Sequence, residues 1–120
     1  MNDYPANSLP LSMGNKRRPL RITVVRTCGL KELFGERPCG VAAATHDSCP
    51  KFQMGDVYTV TDKGGKPPAG FPCDQAWHAL FESVLTLQLG GNLEGFAPGC
   101  AYVSCTDGLH PVLGRLERLD

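Results

Sequence analysis

The chain has 120 residues, enough for one domain with a modest core and no need of covalent staples. Twelve acidic residues balance twelve basic ones, which leaves no electrostatic footprint for nucleic acid or an anionic membrane surface. No stretch approaches the ~20 apolar residues of a membrane span.

Residues 1–18 are rich in Asn, Ser, Pro and Gly and show no period. They read as a flexible tail, with Lys16, Arg17 and Arg18 as its solvated end. Met1 to Leu20 also lacks the apolar run that drives export, so a reducing cytoplasm is the expected setting. Residues 19–120 read as one α+β domain. Pro19 needs no ladder partner and can open a strand from Leu20 to Thr27, where Ile22, Val24 and Val25 supply β-branched content. Leu30 to Phe34 reads as a short helical turn, broken by Arg37-Pro38-Cys39-Gly40. Gly55-Asp56 signals a turn into a second strand, Val57 to Val60. Lys63 to Gly70 is a loop by composition.

The principal helix follows, with Pro72 at its start and Cys73 in its first turn. Trp77, Leu80, Phe81, Val84, Leu87 and Gln88 recur at helical spacing, and all but Gln88 are apolar. Gly90-Gly91 stops it. Ala101 to Thr106 reads as a third strand, Asp107-Gly108 as a turn, and Pro111 to Leu119 as a fourth strand. The expected fold is a small, mainly antiparallel sheet packed against one principal helix.

Six cysteines are many for this length: Cys28, Cys39, Cys49, Cys73, Cys100 and Cys105. In a reducing compartment such a set points to metal binding or catalysis rather than disulfides, although a free cysteine also packs as a small hydrophobe. Cys49, Cys73 and Cys105 stand at element ends, where side chains converge at the rim of a sheet. At a helix N-terminus the unpaired N–H groups and the dipole favour a Cys73 thiolate, which is both the nucleophile and the metal ligand. No C-x-x-C pair is present, so neither a zinc ribbon nor a thioredoxin-type motif is indicated. Cys100 and Cys105 fall on opposite faces of a regular strand. Of the histidines, His46 and His110 flank candidate cysteines in loops, whereas His78 lies on the helix beside Trp77. Asp56 and Asp107 suit turn hydrogen bonds, and Asp107 is also a candidate to orient a ligand or carry a proton. There is no G-x-S-x-G, no phosphate-cradling glycine loop and no dinucleotide fingerprint.

A set of short motifs runs through residues 20–119. It comprises Cys49-Pro50 before Gly55-Asp56, Gly70-Phe71-x-Cys73 before Ala76-Trp77, Leu89-Gly90-Gly91, and Cys105-Thr106-Asp107-Gly108 with Pro111-Val112 and Glu117-Arg118-Leu119. Together they resemble a group of small, largely uncharacterised bacterial and archaeal proteins described as a domain of unknown function. That resemblance implies cysteines at the positions of Cys49, Cys73 and Cys105 and leaves Cys28, Cys39 and Cys100 peripheral. The chain departs from the pattern at Ser104, where a second cysteine is common, at His110, where arginine is common, and at Gly114, where a large apolar residue is common.

Three functions are open to this sequence. The first is a metal site, and a small metalloenzyme if catalytic, in which Cys49, Cys73 and Cys105 hold zinc or copper(I) and leave one position for water, substrate, His46 or His110. The second is metal-free thiol chemistry, with Cys73 as nucleophile and Cys49 or Cys105 as the resolving thiol. The third is a non-enzymatic binding module. The expected partners are a metal ion or a small-molecule substrate, with no nucleic acid and no membrane, and a homo-oligomer is compatible with the chain.

Overall fold

The computed structural model describes residues 17–61 and 65–119. Most of the expected N-terminal tail, residues 1–16, lies outside them, as do the first residues of the Lys63 to Gly70 loop. β1, Leu20–Thr27, alternates buried Leu20, Ile22 and Val24 with more open positions, so one face of the strand is apolar. β4, Val112–Arg118, repeats the pattern with Val112, Gly114 and Leu116. These two long strands pair antiparallel at the centre, from Leu20 opposite Arg118 to Thr27 opposite Val112, with a bulge between Val24 and Arg26. Shorter β2, Val57–Val60, pairs with the outer side of β1, and β3, Cys100–Ser104, with the outer side of β4.

The sheet order is β2-β1-β4-β3, every neighbouring pair antiparallel. The chain therefore closes first strand against last. The two strands with the fullest apolar rows take the centre, where both edges are paired and the buried face is largest. The third and fourth strands are each shorter than the sequence suggests, because the loop built on Asp107 extends from Cys105 to Pro111.

One face of the sheet is covered by α2, Asp74–Gln88. Its Trp77, Leu80, Val84 and Leu87 pack with Leu20, Ile22, Val60, Ala101 and Leu116 in the main core. The domain is thus α+β with one principal helix; a short helix, α1, Leu30–Phe34, follows β1. Gln88, the polar member of the helical stripe, is also buried, and its Nε2 has no partner among the described residues.

The helix begins one residue later than its cysteine. Cys73 is the N-cap, in extended conformation at φ −141° and ψ 116°, and Pro72 lies outside the helix. From the cap, Cys73 Sγ accepts the Ala76 N–H, one of the first-turn donors that have no partner within the helix. At the other end Gly90 takes a positive φ of 94°, and the Gly91 N–H bonds to the Thr86 carbonyl. Arg118 reaches across from β4 and donates to the Leu87 carbonyl at 3.0 Å and the Gly91 carbonyl at 2.7 Å. That cation sits at the negative end of the helix dipole and adds a donor to a last-turn carbonyl there.

Among the described residues no helix is long and apolar enough to cross a membrane.

Candidate functional site

A second, smaller apolar cluster lies beside the main core and forms the floor of the site. It consists of Val24 from β1, Phe52 from the loop before β2, Ala76 from α2 and Val112 from β4. Cys49, Cys73 and Cys105 all pack against it. The three come from separate segments: the long connection between α1 and β2, the cap of α2, and the end of β3. Above this floor opens a pocket of about 280 Å³, and all three cysteines line it. Cys28, Cys39 and Cys100 lie elsewhere: Cys39 is exposed, Cys28 follows β1, and Cys100 stands in β3 opposite Glu117.

Main-chain donors face two of the sulfurs. The Ala76 N–H donates to Cys73 Sγ at 3.5 Å, and the Val112 N–H donates to Cys105 Sγ at 3.3 Å. Such bonds stabilise charge on a thiolate more than they stabilise a neutral thiol. All six cysteines are free thiols.

The other expected site residues, His46, Asp107 and His110, line the same pocket. They also bond to one another. Asp107 Oδ1 accepts the N–H groups of Leu109 at 3.0 Å and His110 at 3.2 Å, which builds the loop between β3 and β4. Its Oδ2 stands 3.1 Å from His110 Nδ1. On the far side of the ring, Nε2 donates to the His46 carbonyl at 2.7 Å, since a carbonyl can only accept. Both ring nitrogens of His110 are therefore engaged with protein oxygens. The His46 contribution to this chain of bonds is its main chain, while its side chain is exposed at the pocket rim.

Among the described residues no three His, Cys, Asp or Glu side chains stand close enough together to hold a metal ion as they are set. The sulfurs share a pocket wall without meeting at a point. His78 is exposed on α2 and lines a separate recess with Gly65, Trp77 and Phe81.

Compared with known proteins, the chain matches no family model, no curated protein and no solved structure.

Three contributors were not singled out by sequence. Phe52 supplies the aromatic floor and stacks edge-on with Phe71 at 5.4 Å. Gln75 lines the rim, its amide held by a bond to Thr106 Oγ1 at 2.8 Å. Lys51 places a cation there. Phe52 follows Cys49-Pro50 in an otherwise polar stretch, and that lone aromatic is the signal available in the sequence. Nothing local marks Gln75.

Asp107 carries a pH dependence. Burial pushes its carboxyl up, but the bonds from Leu109, the His110 ring and the His110 main chain outweigh burial and hold it below the usual carboxylate range. A depressed carboxylate contributes stability above its unfolded pKa of about 3.9, and the contribution is lost as pH falls through the folded value. The side chain is 45% exposed, so the effect is small. Asp107→Asn is expected to cost less than ~1 kcal/mol at neutral pH. The gap to the parent protein should close in urea melts below about pH 4. A gap that widens on acidification contradicts this account.

Proposed function

We propose that Cys49, Cys73 and Cys105 form a three-thiolate site for a soft or borderline cation, zinc or copper(I). One observation carries the proposal: three cysteines from three distant segments line one pocket and pack on one apolar cluster, while the other three do not. Cysteine has a single side-chain torsion, so each sulfur can swing inward by a rotamer change without backbone movement. In the present rotamers the sulfurs of Cys73 and Cys105 accept the N–H groups of Ala76 and Val112, bonds that a bound cation would replace.

Three protein ligands leave one coordination position for water or substrate, and the pocket provides the room. A bound zinc ion would supply Lewis acidity there. Gln75 and Lys51 line the pocket as donors able to orient a small polar ligand. The chemistry calls for reduced thiols, and this supports a cytoplasmic setting.

Elemental analysis of protein purified without chelator tests the proposal. A stoichiometric content of zinc or copper(I) is expected. Added metal at one hundred times its Kd should raise stability by about 2.7 kcal/mol. Cys49→Ser, Cys73→Ser and Cys105→Ser should each abolish the effect, whereas Cys28→Ser, Cys39→Ser and Cys100→Ser should leave it. Protein that holds no metal and gains no stability from either ion overturns the assignment.

Thiol chemistry is the second reading, favoured by the position of Cys73 Sγ at the N-terminus of a 15-residue helix. Cys73 would attack a disulfide of the substrate and release one thiol. Cys49 or Cys105 would then attack the mixed disulfide, leaving an intramolecular disulfide and a fully reduced substrate. Rapid alkylation of Cys73 in metal-binding-deficient protein would favour this route.

A further inference from the structure

The connection from Gly35 to Asp56 holds no helix or strand, yet it carries Thr45, His46, Cys49, Pro50 and Lys51 of the pocket wall. A loop of this length holds a side chain in place only where it is pinned. Its first pin is at α1: the Asp47 carbonyl accepts the Leu30 N–H at 2.8 Å, and Asp47 Oδ1 accepts the Lys31 N–H at 3.1 Å. Arg37 braces the loop internally, with bonds to the Ala42 carbonyl at 2.8 Å and the Thr45 carbonyl at 3.2 Å. At its far end Gly55 and Asp56 bond to Val24 of β1 at 2.7 and 2.8 Å, and Phe52 packs on Val112. None of these hydrogen bonds reaches the Cys105–Pro111 loop.

The bond from His110 Nε2 to the His46 carbonyl, at 2.7 Å, does so. His46 stands three residues before Cys49, and His110 five residues after Cys105. One hydrogen bond thus links the two sulfur-bearing segments across the pocket. The ring is well placed for this task. Its side chain is only 13% exposed, and Asp107 Oδ2 stands 3.1 Å from the opposite nitrogen, which donates to it when the ring carries both protons. Asp107 is itself fixed by the two N–H groups bonded to its Oδ1.

We propose that His110 is a positioning residue, a latch whose bond to the His46 carbonyl fastens the Cys49 loop to the β3–β4 hairpin and sets the separation of Cys49 from Cys105. Asp107 orients the latch. The inference rests on the reading that these two thiols work together, but not on which ion or substrate they serve.

The test is site-resolved alkylation of the full-length, metal-free protein with iodoacetamide, read by peptide mass spectrometry. His110→Phe retains an aromatic ring of similar volume and removes the donor. Alkylation of Cys49 is expected to accelerate roughly tenfold, the order of local opening that loss of one hydrogen bond allows, while Cys73 and Cys28 keep their rates. In His110→Gln the amide nitrogen reaches about as far as Nε2 and should restore the slow rate. Unchanged Cys49 reactivity in His110→Phe overturns the latch. So does equal acceleration of all six cysteines with a lower melting temperature, the signature of a merely structural residue. The two proposals fail separately: protein that binds no metal leaves the latch standing, and an unaltered Cys49 rate leaves the ion site standing.

Discussion

Trp77→Ala is expected to destabilise the protein by about 3–5 kcal/mol, a large share of the 5–15 kcal/mol typical of a domain. The indole is only 5% exposed and belongs to the main core with Leu20, Val60 and Leu116. It also connects two aromatic neighbours, with ring centroids 5.9 Å from Phe71 and 5.9 Å from Phe81. Phe71 continues to Tyr58 at 5.0 Å and to Phe52 at 5.4 Å, so the row of rings leads from the core to the floor of the pocket. Alanine leaves a cavity in the helix–sheet layer that the surrounding side chains fill only in part. It also deprives the Gly65 carbonyl of the indole N–H, which bonds it at 2.9 Å.

Trp77→Phe separates these terms. It keeps most of the packing and loses the bond to Gly65, so it should cost far less than alanine. Urea melts of both variants check the ratio. A cost below 1.5 kcal/mol for alanine, the size of a single hydrogen bond, would mean that Trp77 covers the core without filling it.

The same row of rings shows what the sequence makes legible. α2 was visible because apolar residues repeat at helical spacing from Trp77 to Leu87 and glycines follow, and both signals are local. β1 was visible for a related reason: Pro19, then β-branched residues. The pairing of β1 with β4 was not. It joins residues some ninety positions apart, and no local period encodes which strand lies beside which. The full Cys105–Pro111 loop is not marked in the sequence beyond Asp107-Gly108, because the Asp107 carboxylate builds it through bonds to Leu109 and His110, residues that carry no turn signal themselves.

The site divides in the same manner. Cys49, Cys73 and Cys105 could be picked out as cysteines at element ends, a chain-order criterion. That they share one apolar floor depends on the sheet order, which brings Val24 of β1 beside Val112 of β4. The engagement of both His110 nitrogens was illegible for the same cause, since the acceptor is the main chain of a residue in another segment. Arg118 at the end of α2 is a further case: a cation on a terminal strand residue gives no hint that it caps a helix.

Gly29→Ala is expected to cost about 1–3 kcal/mol, the usual penalty of overpacking, and to disturb the site from a distance. Gly29 is the N-cap of α1, with φ −111° and ψ 175°, a conformation open to any residue. The demand for glycine is therefore steric. A Cβ there would overlap the Asp47 carboxylate and come within 2.9 Å of the Asp47 carbonyl oxygen. Gly29 has no side chain with which to cap α1, and Asp47 does so from the loop, accepting the Leu30 and Lys31 N–H groups. A methyl group at this point pushes away both the cap and the loop that carries His46 and Cys49. Removing the carboxylate with Asp47→Ala in the Gly29→Ala background should restore only part of the lost stability, because the carbonyl oxygen still obstructs. Full restoration would locate the clash in the side chain alone and leave the Cys49 loop free of the first pin. Amide exchange at Lys31 and thermal melts of the single and double variants distinguish the two results.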